Sequence, residues 1–308
     1  MLRLLSTMII AGLIIGAIGC SDDPPQKIVL QETRELETKL NNGAAKSIQI
    51  AVGGMITPRE GITYYRDFLN YIGKKIGEKV KYVDREGYAQ INEMLRKGEL
   101  QAAFVCSGPY VDGKKEFGLE LLVAPQAYGE SVYYSYIIVS KDSRYRTLQD
   151  LENKRFAFTD PLSNTGKLVP TYMLAKMDKT PETFFSQIIY TKSHDKSIKA
   201  VAQGIVDGAA VDSLIWEFLD ATDPKFTSKT QILKKSPPYA IPPVAVPRNL
   251  DPKLKNKLKE TFLNAHLDPE GSLILRKMKI DKFIVIDDEA YDSVRQMQNW
   301  IETQKTGQ

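Results

Sequence analysis

The sequence predicts an α/β fold of two lobes, each a mainly parallel sheet flanked by helices and joined to the other by two crossing strands. Three observations lead there. Strand and helix patterns alternate without a break from Ser47 to Lys235. The 308 residues, 43% apolar, exceed what one core usually holds. Two extended segments, residues 131–140 and 236–246, separate complete α/β patterns where crossing strands belong.

Taken in order, the chain opens with Arg3 and an apolar run over residues 4–19, shorter than the ~20 residues a bilayer span needs. A signal segment over residues 1–19 fits it. Ala17-Ile18-Gly19-Cys20 resembles a bacterial lipobox, in which the cysteine is lipidated and becomes the new N-terminus. Lipid on Cys20 leaves Cys106 without a partner, and a small buried hydrophobe is the favoured reading of Cys106. Residues 20–46 are then the lipidated N-terminus and a polar linker. Removing residues 1–19 leaves 41 basic against 38 acidic residues, a net charge of +3 that is too mild to argue for nucleic acid.

Ile48, Ile50 and Val52 alternate as a strand. Thr57-Pro58-Arg59-Glu60 then offers an N-cap, a proline at the first helical position and a capping-box glutamate. Ile62, Tyr65, Leu69, Ile72 and Ile76 continue that helix as a 3.6-residue stripe. Residues 80–83 read as a strand, 88–96 as a helix, and 102–105 and 119–123 as buried strands. After the first crossing, Thr147-Leu148-Gln149-Asp150 predicts a capped helix. Strands at 156–158, 188–190, 209–211 and 231–233 follow, with helices at 167–177, 197–203 and through Trp216. The proline cluster 236–243 suits a stiff return crossing. Helices at 252–265, 270–278 and 289–303 carry apolar stripes that need the first lobe. The lobes are thus residues 47–135 plus 241–308 and residues 136–240.

A local similarity relates the lobes. Residues 98–107 and 204–213 share Gly, Ala, Val and Ser at the same offsets, and both read as a helix, a glycine stop and a short buried strand. This puts Cys106-Ser107 and Asp212-Ser213 at the carboxyl ends of equivalent strands, the edge where open α/β sheets bind ligands. At Thr159-Asp160-Pro161-Leu162-Ser163-Asn164-Thr165-Gly166 a strand ends, Pro161 forces a turn, and donors gather at a helix start. Such a helix start suits an oxyanion. On physics alone, ordinary capping by Ser163 or Thr165 explains the same residues equally well.

Asp160-Pro161 with Ser163, Thr165-Gly166, Leu168 and Pro170 resembles the signature of the PhnD-like phosphate, phosphite and phosphonate binding proteins. Ser193-His194-Asp195, Val211-Asp212-Ser213, Ser236-Pro237-Pro238, Pro242-Pro243-Val244-Ala245-Val246 and Asn249-Leu250-Asp251-Pro252 extend the match over residues 47–298 in continuous order. The resemblance implies a type 2 periplasmic-binding-protein fold that closes on a small phosphorus oxyanion. It also implies an ABC permease as partner, no cofactor or metal, and a monomeric chain on the outer side of a membrane, anchored through Cys20. Ligand contacts transfer to Ser163, Asn164, Thr165, His194 and Asp212, with Gly166 opening the helix between them. His194, taken alone in its polar loop, reads as a surface or capping histidine. Tyr110, Ser107 and Thr57 are further candidates for which core or capping roles serve as well. Asp212 would accept a hydrogen bond from a P–OH group and so select protonated oxyanions.

Enzyme readings lack parts: there is no Walker loop, no G-x-S-x-G, no CxxC and no histidine pair at metal spacing. The alternatives are a ligand sensor for a membrane kinase and a binder of another small anion such as a sulfonate.

Overall fold

A computed structural model describes residues 47–53 and 58–306. The signal segment, Cys20, the linker and Thr57 lie outside the described residues. The first sheet is built from β1 (Ile48–Val52), β2 (Val80–Val83), β3 (Ala102–Phe104) and β4 (Glu120–Gln126), separated by α1 (Pro58–Ile76), α2 (Tyr88–Arg96) and α3 (Ser107–Phe117). The chain then crosses through β5 (Val132–Tyr133) into β6 (Ser135–Ser140).

The second sheet adds β7 (Arg155–Phe158), a π-turn over Asn164–Leu168 running into α4 (Val169–Ala175), α5 (Pro181–Phe184), β8 (Gln187–Tyr190), α6 (His194–Ala202), β9 (Gly208–Asp212), α7 (Ser213–Thr222) and β10 (Thr230–Lys235). The return runs through β11 (Tyr239–Ala240) to β12 (Val244–Val246). It ends in α8 (Pro252–Asn264), α9 (Pro269–Lys277), β13 (Lys282–Ile284) and α10 (Asp292–Thr306).

The two sheets repeat one plan. The first has the order β13-β4-β12-β3-β1-β2 and the second β10-β6-β9-β7-β8. In each, the first strand pairs in parallel with the second and third, and a crossing strand lies antiparallel beside the third. Thus β12, reached only after the second sheet is complete, slots between β3 and β4. Likewise β6, which comes from the first sheet, slots between β9 and β10. The repeat seen at residues 98–107 and 204–213 falls on β3 and β9, the third strand of each plan. The ribbon β5–β11 joins the crossings. The chain crossings thus also serve as inner strands of the sheets.

Aromatic packing fills the first core, where Phe68, Phe104, Phe262 and Phe283 meet with centroids 4.9–6.2 Å apart. In the second, Phe156 stacks on Phe185 at 4.2 Å. Two expectations need correction. Thr147 and Asp150 do form a capping box, but it closes only a 3-10 turn over Leu148–Leu151, because Asn153 at φ 58° turns the chain straight into β7. The segment 107–117, given no element from sequence, is helix α3. Its Gly108-Pro109 and Gly113 blur the apolar stripe, which leaves Tyr110 and Val111 as its large buried side chains.

Candidate functional site

Helices α2, α3, α6 and α7 and the π-turn all begin where a strand ends, after β2, β3, β8, β9 and β7 in turn. Their N-terminal N–H groups and positive dipole ends therefore collect along the carboxyl edges of both sheets. Contacts tie these ends together. The Tyr88 amide at the start of α2 donates to Asp160 Oδ2 (3.2 Å), and the Asp212 amide donates to His194 Nδ1 (2.9 Å). Asn164 Nδ2 donates to the Tyr133 hydroxyl (3.0 Å), which also meets Cys106 Sγ at 3.6 Å.

Several buried side-chain atoms at these ends make no hydrogen bond to the protein, among them Tyr88 Oη, Asn164 Oδ1, Thr165 Oγ1, Ser193 Oγ, His194 Nε2 and Asp212 Oδ2. Native interiors leave few such atoms, which marks this region as the candidate site. Their chemistry is mixed. His194 is fully buried, and burial pulls its imidazole down to about 3, so it is neutral near pH 7. Because Nδ1 accepts the Asp212 amide, the single ring proton sits on Nε2, a donor without a protein partner.

Asp212 is the opposite kind of group. Its Oδ1 accepts from the Leu214 amide (2.8 Å), capping α7, while Oδ2 is free. Burial raises this carboxyl to about 7, partly offset by the amides of Leu214 and Ile215. Among the described residues, the buried polar set contains neither lysine nor arginine. An anion at this site meets helix dipoles and neutral donors, with one proton-accepting carboxylate.

The sequence-predicted residues divide. Ser163, Asn164, Thr165, His194 and Asp212 are fully buried and stand together. Ser163 Oγ accepts from the Gly166 amide (3.0 Å), so capping occupies its lone pair while its hydroxyl proton remains available. Gly166 serves close packing, since a Cβ there would lie 1.8 Å from Thr159 Oγ1. Ser107 and Tyr110 depart from the expectation. Ser107 Oγ donates to the Ala240 carbonyl (2.8 Å), pinning α3 to the return crossing. The Tyr110 hydroxyl donates to Asp288, and its ring packs 4.8 Å from Tyr291. Both hydroxyls thus have protein acceptors.

Sequence reasoning gave no site role to Tyr88, Tyr133 or Asp160, although Asp160 opens the signature quoted above. Tyr88 was within reach of the rule applied to Ser107 and Asp212, being the first helical residue after a strand's carboxyl end. Tyr133 sits on a crossing, where no pattern distinguishes a cleft side from a core side.

A family profile described as "ABC transporter, phosphonate, periplasmic substrate-binding protein" matches residues 51–291. The chain belongs to this family. It is 27% identical over 235 residues to the phosphonates-binding periplasmic protein of Escherichia coli K12, covering 75% of this chain and 69% of that one. A binding-protein component of an ABC phosphonate transporter from Pseudomonas aeruginosa superposes with a TM-score of 0.78 at 26% identity, over 82% of this chain and 85% of that one. PhnD1 of Prochlorococcus marinus MIT 9301, solved with methylphosphonate, superposes with a TM-score of 0.76 at 19% identity, over 84% and 99% of the two chains. The fold is that of type 2 periplasmic binding proteins. Members of this phosphonate-binding family are transport proteins that bind small phosphorus ligands and work with an ABC permease. No described helix is long and apolar enough to cross a membrane.

Proposed function

We propose that this phosphonate-family protein binds one small phosphorus oxyanion, phosphate, phosphite or a phosphonate, between its lobes and delivers it to an ABC importer. The observation that carries this reading is a buried donor and a buried acceptor without protein partners, His194 Nε2 and Asp212 Oδ2, on two residues joined through the Asp212 amide. Ser163, Asn164 and Thr165, with the dipoles behind them, serve any tetrahedral oxyanion. Asp212 adds selectivity. Phosphate, phosphite and phosphonates can present a P–OH to Oδ2, whereas sulfate and sulfonates near neutral pH place a bare oxygen against it.

Residues 47–135 plus 241–308 act as one lobe and 136–240 as the other, rocking about the crossings. Cys20 carries lipid and holds the chain on the outer face of a membrane. Calorimetry with phosphite, phosphate, methylphosphonate, sulfate and methylsulfonate tests the ligand class. Binding of the phosphorus compounds over their sulfur counterparts is expected, and a preference for a sulfonate overturns the reading. Detergent partitioning of the parent and of Cys20→Ala tests the anchor, with the variant expected in the aqueous phase.

A further inference from the structure

We propose that Asp160 is a positioning residue that supplies, from one lobe, the N-cap of a helix in the other, so that lobe closure and the placement of Tyr88 become a single event. Helix α2 begins at Tyr88, and its N-cap is Gly87, which has no side chain to offer. The missing cap comes from across the cleft, as Asp160 Oδ2, beyond the end of β7, accepts from the Tyr88 amide at 3.2 Å. A carboxylate at a helix N-terminus is favoured both by the bond and by the dipole.

A purely local role for Asp160 accounts for only half of the side chain. Oδ1 accepts from the Leu162 amide (2.8 Å) in its own turn, which explains one oxygen. The other points to the opposite lobe, and Asp160 is only 7% exposed. The glycines on the facing lobe give independent support. Gly87 has φ −146°, which any residue adopts, so its backbone does not require glycine. Its smallness matters instead, because a Cβ would lie 3.2 Å from Asp160 Oδ2. Along the same seam, a Cβ at Gly108 of α3 would lie 2.4 Å from the Leu162 carbonyl oxygen. The first lobe is thus cut back at two places where Asp160 and its turn approach. The turn that places Asp160 also carries Ser163, Asn164 and Thr165. The amide that Asp160 holds belongs to Tyr88, whose hydroxyl is buried with the unpartnered polar atoms of the site.

The latch rests on the binding reading only for its ligand-dependent arm. The test compares Asp160→Ala, Asp160→Asn and Gly87→Ser with the parent, measuring phosphite binding by calorimetry and stopped flow. It adds thermal melting of the unliganded chain, and hydrogen exchange at the Tyr88 amide with and without phosphite. Asp160→Ala is expected to weaken phosphite roughly tenfold to a hundredfold, through faster dissociation and with association unchanged. Exchange at Tyr88 should accelerate. Asp160→Asn keeps an acceptor for Tyr88 and should recover part of the loss. Gly87→Ser gives α2 its own cap while obstructing Asp160, so melting should hold or rise as affinity falls, a combination that a merely structural role does not produce. Parent affinity and parent Tyr88 exchange in Asp160→Ala, or undiminished affinity in Gly87→Ser, overturns the latch. A parent that binds none of phosphite, phosphate and methylphosphonate refutes the ligand assignment instead. Tyr88 exchange in the unliganded chain then decides the latch alone, and no change between parent and Asp160→Ala overturns it.

Discussion

The ends of β3 and β9 occupy the same place in two copies of one plan, yet they hold different chemistry. Each strand leads into a buried residue followed by a serine at the first position of a helix. In the first lobe that residue is Cys106, which makes no side-chain cap, and burial raises its thiol above the ordinary range. In the second it is Asp212, which caps α7 with one oxygen and leaves the other free. The backbone supplies the same positive helix end at both strands. Only at β9 does the side chain add a carboxylate oxygen without a protein partner to that end, the feature on which the proposed anion selectivity rests. An α/β edge is thus a place where sites can be built, and single residues decide whether one is.

The largest expected effect tests that asymmetry directly. Asp212→Ala should weaken phosphite or methylphosphonate by roughly tenfold to a hundredfold, since a charge-assisted hydrogen bond contributes about 1.5–3 kcal/mol. Ser107→Ala, at the equivalent first-lobe helix start, should weaken it far less, because its hydroxyl holds Ala240 rather than the ligand. Asp212→Asn should narrow the gap between phosphorus and sulfur anions, since an amide can donate where a carboxylate repels. Calorimetry reads all three, and equal losses at both strand ends would dissolve the distinction.

Protons sharpen it next. Burial raises the Asp212 carboxyl to about 7, so the proposed complex is expected to hold one proton between Oδ2 and a phosphoryl oxygen. Above the pH at which both groups are ionised, binding must take a proton from solvent, and affinity should fall by about tenfold per pH unit. Titrations in buffers of different ionisation enthalpy should show uptake of about one proton per complex there, and none in Asp212→Asn.

Unliganded stability follows with a smaller signal, because two groups oppose each other. The Asp212 carboxyl rises from its ordinary 3.8 to about 7, so its contribution is fully present below 3.8 and is lost as pH climbs through 7. The imidazole of His194 drops from its ordinary 6.5 to about 3, so its contribution is present above 6.5 and is lost as pH falls through 3. Between about pH 4 and 6.5 the two slopes, each up to about 1.4 kcal/mol per pH unit, run in opposite directions and nearly cancel. Urea unfolding of the parent should vary little across that window. Asp212→Asn should gain stability with rising pH, and His194→Gln should lose it.

Much of this was legible in the sequence for physical reasons that differ by region. The alternation of strands and helices is a property of local patterning, and the ten-residue repeat marked β3 and β9 before any coordinates. Ser163, Asn164, Thr165, His194 and Asp212 stand at strand ends or helix starts, positions that turn chemistry and resemblance both flag. What stayed hidden depends on contacts across the cleft. Nothing local distinguishes Asp160 as a partner for the Tyr88 amide, and for Tyr110 the sequence left site and core roles open until Asp288 and Tyr291 were seen to hold it. Helix α3 escaped because its glycines and proline dilute the apolar stripe that marks the others.

The smallest expected effect comes from Cys106→Ser. The thiol lies 3.6 Å from the Tyr133 hydroxyl and receives the amides of Asn164 and Gly108, so it fills space at the floor of the cleft and touches the turn that bears the ligand-facing groups. A serine oxygen can accept the same amides, but it is smaller than sulfur and more costly to bury. The substitution should lower unliganded stability by about 1 kcal/mol. Phosphite affinity should change by less than about threefold, because a change well under 1 kcal/mol is all that a neutral group outside the ligand's own contacts should transmit. Thermal melting and calorimetry on the same preparation read the two quantities. An affinity change beyond tenfold, with stability nearly intact, would mean that Cys106 meets the ligand itself, and the two strand ends would then share the site instead of dividing into one that caps and one that selects.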